Sequence, residues 1–240
     1  MSLYAYLPQE IAKSTYRTAE SGIMKIRKIQ QRKRKGSFLN MTDALKAVLF
    51  DFGGVIAEEG FREGIMAIGK KNNLDPELFF TDVDRLIYET GYLIGRADES
   101  SFWNAVRNKT GITGSDEELR EEVLTRFTFR PAMLSYADRL RARRLKVGML
   151  SDQTNWLEEI DRKTPLFRHF DIVFNSFRLH KSKRDPSVFR DVCEILSIPP
   201  GEVLFVDDNI DHIKRATDEG LITLHFSTAE EFEKQIKVFI

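Results

Sequence analysis

The sequence predicts an α/β fold, a doubly wound parallel sheet carrying an inserted α-helical segment. Three observations carry this. Five short apolar runs recur between residues 46 and 225, helical segments alternate with them, and about eighty residues of helical period follow the first run. Lys46–Phe50 (KAVLF) ends at Asp51, and Lys146–Leu150 (KVGML) ends at Ser151. Asp171–Phe174 (DIVF) is third, Glu202–Val206 (EVLFV) ends at Asp207, and Leu221–His225 is fifth. Unbroken apolar runs of this length are expected as strands buried on both faces, as in a parallel sheet. Helices are expected between them with right-handed crossovers.

Local signals place the helices. Pro131–Arg144 ends in basic residues that suit the helix dipole. Asp185-Pro186 predicts an N-cap and first-turn proline ahead of Ser187–Leu196. Ser227-Thr228-Ala229-Glu230 has the form of a capping box for the last helix. The stretch after the first strand is too long for a crossover, which needs a dozen or so residues. It predicts four helices: Phe61–Lys71, one from Asp75-Pro76-Glu77 through Tyr92, Glu99–Lys109, and one opened by the box Ser115-Asp116-Glu117-Glu118 and running to about Phe127. Residues 58–129 are thus expected as a helical cap on a core made of 41–57 and 130–240. An insertion at that point sits over the carboxyl edge of the sheet, where open α/β sheets bind ligands.

Composition narrows the class. The 240 residues include 42% hydrophobic side chains, enough for a buried core in one medium domain with an insertion. The single cysteine, Cys193, excludes a disulfide framework, and it lies on the apolar face of a predicted helix. The four histidines have no metal-ligand spacing among themselves, and no apolar run approaches the length of a membrane span. A soluble, cytoplasmic protein is expected. Its zero formal charge hides an asymmetry: residues 1–40 carry nine basic and two acidic side chains, and the remainder is correspondingly acidic. This N-terminal extension reads as a solvated tail, an arm for nucleic acid or another anionic surface, or a targeting peptide. No nucleic-acid partner is expected elsewhere, and oligomeric state is open.

The strand ends carry the chemistry. Asp51, Ser151 and the pair Asp207-Asp208 converge on one crevice, with Lys181 and Lys183 offered by the loop HKSKRDP. A carboxylate can act as nucleophile toward phosphorus, and the repulsion between two anions then calls for a cation such as Mg²⁺. Asp51, Asp207 and Asp208 supply hard oxygen ligands, and the carbonyl of Gly53 can add another. Ser151 and a lysine can hold phosphoryl oxygens, and the bare backbone at Gly53 and Gly54 lets an amide come close to phosphate.

VLFDFGGVI, MLSD, KRDP and VLFVDDN, in that order, resemble the four motifs of the haloacid dehalogenase-like (HAD) hydrolase superfamily. The likeness spans roughly residues 46–230, and one large branch of that family carries a helical cap between the first two motifs. It implies a Rossmann-like core, with Asp51 as nucleophile, Ser151 as the second-motif hydroxyl and Lys183, rather than Lys181, as the third-motif lysine. Asp207 and Asp208 match the acidic pair that binds Mg²⁺, and Gly54, Ser151, Asp152 and Lys183 are the expected substrate contacts. Arg184 replaces a common proline, and His180 stands where glycine is common. A third departure matters more. HAD phosphatases mostly carry a second aspartate two residues after the nucleophile, to protonate the leaving group; here that residue is Gly53. A positioned acid/base is worth ~10²–10⁴ in rate. Glu58, Glu59, Asp152 and His180 are the candidates to replace it.

The expected activity is a Mg²⁺-dependent phosphatase acting on a small phosphorylated metabolite through an aspartyl-phosphate. The alternatives are a metal-free 2-haloacid dehalogenase, and a phosphate-binding or regulatory protein that does not turn over. Plainer roles compete residue by residue. Asp51 and Ser151 could be helix caps, Lys183 a solvated lysine, and His225 a core or edge residue. Phe102 and Trp103 are expected to pack a core more than to shape a pocket. Arg62, near the start of the insertion, could meet an anionic substrate.

Overall fold

Each of the five apolar runs forms a strand in the structure, a computed structural model that describes residues 45–237. The strands are β1 (Ala47–Phe50), β2 (Lys146–Ser151), β3 (Ile172–Asn175), β4 (Val203–Asp207) and β5 (Ile222–His225). Their order is β3-β2-β1-β4-β5, and every pairing is parallel. The three central strands are buried nearly throughout, while β3 and β5 at the edges are only partly so. Polar Ser151 and Asp207 fall inside their strands rather than after them.

Both faces of the sheet are covered, as the unbroken apolar runs require. Leu49, Leu150 and Phe205 turn to one face and pack with Val188, Phe189 and Cys193. Those three belong to α8 (Ser187–Leu196), so Cys193 is a core residue as expected. α9 (Ile210–Asp218) closes the same face through Ile213 and Ala216. On the other face Phe50 meets Phe232, which also packs edge-on against Tyr136. These lie on α10 (Ala229–Ile236) and α5 (Pro131–Ala142). Full burial of one such side chain contributes ~1.5–3 kcal/mol.

Between β1 and α5 come α1 (Gly60–Lys71), α2 (Pro76–Glu89), α3 (Glu99–Thr110) and α4 (Asp116–Leu124). Two short helices follow β2 and β3: α6 (Trp156–Lys163) and α7 (Ser176–Leu179). α1 and α4 pack closely because Gly64 has no side chain; a Cβ there would meet the Val123 backbone. The chain enters and leaves the insertion side by side. Glu58 N–H donates to Thr128 O (2.9 Å), and Arg130 N–H donates to Ile56 O (2.8 Å). Aromatic packing then holds the insertion to the core. Tyr92, Phe102 and Trp103 cluster on Trp156 of α6, with Trp103 stacked on Trp156 at 5.9 Å. Phe102 and Trp103 are therefore packing residues. Arg120 on α4 adds a polar link between Glu99 of the insertion and Glu159 of α6.

Several local expectations need correcting. The helix opened by Asp75 ends at Glu89, because Gly91 takes a left-handed conformation (φ 78°) and Tyr92–Ile94 winds as a 3₁₀ turn. α4 stops at Leu124 and α5 at Ala142, short of Phe127 and Arg144. The last helix is capped by Thr228, which accepts from Glu231 N–H, so the box beginning at Ser227 is displaced by one residue. α8 starts at Ser187 with Pro186 in the capping position, although Asp185 still accepts from Ser187 N–H at 3.0 Å. The box at Ser115 and Glu118 forms as expected. No helix among the described residues is long and apolar enough to cross a membrane. The basic segment 1–40 lies outside the described residues.

Candidate active site

With β1 between β2 and β4, their three carboxyl ends lie side by side, and the residues predicted to meet do so. Asp51 extends the β1 ladder by donating its N–H to Val206 O (2.8 Å), and its carboxylate accepts from Phe52 N–H (2.7 Å). Ser151 is buried at the end of β2, with no hydrogen-bond partner for its hydroxyl among the described residues, and faces a cavity. Asp207, at the end of β4, is completely buried.

Lys183 ties these ends together. Its Nζ stands 2.8 Å from Asp51 Oδ1 and 2.7 Å from Asp207 Oδ2, and the side chain is 1% exposed. The loop that delivers it is fixed by Asp152, whose carboxylate accepts from Lys183 N–H at 2.9 and 3.2 Å. Lys181 points elsewhere, to Asp191 and Ser187 Oγ. His180 occupies the left-handed region (φ 54°), the conformation a glycine there would adopt freely, and its Nδ1 meets Ile94 O at 2.9 Å.

Charge is unevenly distributed. Burial alone would raise the Asp207 carboxyl, but the Lys183 ammonium and the His212 hydrogen bond outweigh it and hold it well below the carboxylate range. Asp207 also accepts from Asn209 N–H at 2.7 Å. Asp51 moves the other way. Burial pushes it up, Lys183 only partly offsets this, and the charge of Asp207 adds to the rise. Asp208 is raised by burial and then by Asp207. Glu59 is pushed up to about 7 by its place in the cavity wall and then by Asp208. Asp51 and Asp207 thus share one lysine, with Asp208 crowded against Asp207.

His212 was not foreseen. Its Nδ1 lies 3.2 and 3.3 Å from the two Asp207 oxygens, and ligand atoms of Asp51, Asp207 and His212 fall within 4.8 Å of one another. The signal for it lies not in spacing between histidines but in the short step from Asp207 to the first turn of α9.

Gly54 is placed differently from expectation. It is buried, with φ 77°, directly beneath Asp208, and a Cβ there would lie under 3.0 Å from that carboxylate. Its carbonyl accepts from Arg130, and it does not line the cavity. Gly54 therefore serves to seat Asp208, whereas Gly53 does face the cavity. Asp152 lines it too, with its carboxylate committed to the Lys183 loop.

The cavity measures about 410 Å³ and opens between the strand ends and the inserted helices. Phe61, Phe80 and Tyr88 supply its apolar wall, and Arg62 lies among them. Arg62 stacks 4.6 Å from the Phe80 ring centre and bonds Glu77 at 2.6 Å.

A profile of the haloacid dehalogenase-like hydrolase family matches residues 45–217. Among curated proteins, the chain is 31% identical over 77 residues to bifunctional epoxide hydrolase 2 of Rattus norvegicus, covering 29% of this chain and 14% of that protein. The chain thus spans about a seventh of that relative's length. Among solved structures, a HAD family enzyme of Bacteroides thetaiotaomicron, complexed with magnesium and inorganic phosphate, superposes with a TM-score of 0.62. It is 22% identical over 76% of this chain and 94% of that one. The L-2-haloacid dehalogenase of Xanthobacter autotrophicus, with chloropropionic acid covalently bound, gives a TM-score of 0.58. It is 21% identical over 80% of this chain and 82% of that one.

Proposed function

The chain belongs to the haloacid dehalogenase-like hydrolase family, and from that premise we propose that it hydrolyses a small phosphate monoester through an aspartyl-phosphate on Asp51, with Mg²⁺ as cofactor. One observation carries this reading. Asp51 and Asp207 share a single ammonium, and the carboxyls of Asp51 and neighbouring Asp208 are pushed up by burial and by the charge of Asp207. All-oxygen donors in excess of local positive charge suit a hard divalent cation. Without a cation, the acidic pair beside Asp51 is expensive to hold. Like the Bacteroides enzyme's structure, which holds magnesium and phosphate, the donor set favours the phosphatase.

Asp51, Asp207 and Asp208 would hold the Mg²⁺. When bound, it offsets the repulsion between carboxylate and phosphate and polarises the phosphoryl oxygens. An Asp51 oxygen attacks phosphorus and the bond to the leaving oxygen breaks. Lys183 neutralises charge on the phosphoryl group, and the unpartnered Ser151 hydroxyl donates to one of its oxygens. Water then attacks the phosphorus of the aspartyl-phosphate and releases inorganic phosphate. Residues 58–129 act as a cap that limits entry to small substrates.

Release of p-nitrophenol from p-nitrophenyl phosphate tests the reading, because that leaving group departs without a proton donor. Turnover should require Mg²⁺ and fall at least ~10²-fold with EDTA. Equal turnover with EDTA contradicts the assigned cofactor; release of halide from a 2-haloacid in EDTA, without any phosphatase activity, contradicts the whole assignment.

A further inference from the structure

An alkyl phosphate leaves as an alkoxide unless a proton reaches its oxygen, so the cavity must offer an acid that is not already engaged. Most of its acidic groups are engaged. Asp51 and Asp208 belong to the proposed metal and phosphoryl machinery, and Asp152 holds the Lys183 N–H. Asp84 pairs with Arg184 at 3.2 Å. His212 is turned onto Asp207. Outside the cavity, Glu58 is clamped by Arg130 at 3.1 and 2.7 Å, and His180 bonds Ile94. Glu59 differs from all of these. It lines the cavity with Asp51, and its carboxylate has no hydrogen bond or ion pair among the described residues.

The carboxylate lies where a side chain on residue 53 would project. A Cβ built on Gly53 would stand 3.3 Å from Glu59 Oε1, and the Glu59 carboxylate atoms are its nearest neighbours. Glycine at 53 leaves the space that this glutamate fills from the start of α1.

We propose that Glu59 is the acid/base residue of the reaction, reaching from the entrance of the insertion into the place a side chain at 53 would take. This rests on the phosphatase reading above. In the first step protonated Glu59 gives its proton to the leaving oxygen as that oxygen separates from phosphorus and the Asp51 oxygen bonds to it. In the second, the Glu59 carboxylate takes a proton from water as the water oxygen attacks phosphorus and the Asp51–phosphorus bond breaks. Glu59 ends protonated, ready for another cycle. The residue stands on the linker into the insertion, so the chemistry depends on how that linker is held.

The test compares kcat/KM for an aryl and an alkyl phosphate, p-nitrophenyl phosphate and a simple alkyl monoester, with Mg²⁺. Glu59→Gln should leave kcat/KM for the aryl ester within a few-fold and lower that for the alkyl ester by ~10²–10⁴-fold. With the aryl ester it should also release p-nitrophenol in a burst followed by slow turnover, since the second step still needs the base. Glu59→Ala combined with Gly53→Asp should recover at least tenfold of the alkyl activity that Glu59→Ala loses, because removing the glutamate frees the space a Cβ would need. An equal loss with both esters, or no loss, overturns the role of Glu59 while wild-type turnover keeps the phosphatase reading intact. A wild-type protein inactive on both esters overturns that reading and this inference with it.

Discussion

Replacing Asp51 by asparagine should lower phosphatase turnover by on the order of 10⁴–10⁶-fold, the scale of removing a covalent nucleophile. Asparagine keeps the shape of the residue and the acceptor for Phe52 N–H, so the circular dichroism spectrum should not change. Stability should hold or rise. Asp51 is a buried carboxyl pushed up by burial and by Asp207, and neutralising it relieves that crowding while Lys183 keeps Asp207 as partner. A thermal melt and a p-nitrophenol assay on the same sample check both halves. Retention of a tenth of the wild-type rate would show that the nucleophile lies elsewhere.

Lys183→Met should act mainly on the fold. The ammonium is buried between two carboxylates, and methionine fills similar space without charge. Removing one partner of a buried ionic cluster costs ~3–5 kcal/mol, because the remaining charges are left unpaired. For a domain of this size that corresponds to a fall in Tm on the order of 10 °C. The pH dependence follows from the signs of the shifts. Lys183 is held above its ordinary value, so its contribution is complete below ~10.4 and is lost only as pH rises through its higher folded value. Asp207 is held below its ordinary value, so its contribution is present above ~3.9 and fades as pH falls through its lower folded value. The deficit of the variant should be full across the neutral range and shrink toward strongly acid pH, where the orphaned carboxylates gain protons. Urea unfolding at neutral and acid pH measures this; a loss below ~1 kcal/mol at neutral pH would show that the carboxylates do not depend on this lysine.

The parts of this site that were legible in the sequence are those set by strand periodicity. A continuous apolar run has few ways to end, so Asp51, Ser151 and Asp207 could be placed at one sheet edge before any geometry was known. Lys183 was separated from Lys181 by the likeness of Lys183-Arg184-Asp185-Pro186 to the family's third motif; its burial between two carboxylates had no signal in the sequence. Contacts that depend on how an irregular segment turns were not legible. His212 reaches Asp207 only because α9 starts at Ile210, which puts residue 212 in its first turn. Gly54 looked like a phosphate contact, but its left-handed backbone tucks it beneath Asp208. Glu58 and Glu59 are adjacent and chemically alike, yet the linker turns one toward Arg130 and the other toward Gly53. The last capping box slipped by one residue because both Ser227 and Thr228 can cap, and it is Thr228 that accepts from Glu231 N–H.

On this mechanism Asp51 carries the phosphoryl group. Wild-type protein mixed with p-nitrophenyl phosphate and Mg²⁺, quenched in acid during turnover and digested for mass spectrometry, tests it most directly. One phosphoryl group is expected on the peptide containing Asp51, labile to hydroxylamine and absent from Asp51→Asn. Steady turnover without any such adduct, or with the adduct on another residue, would contradict it.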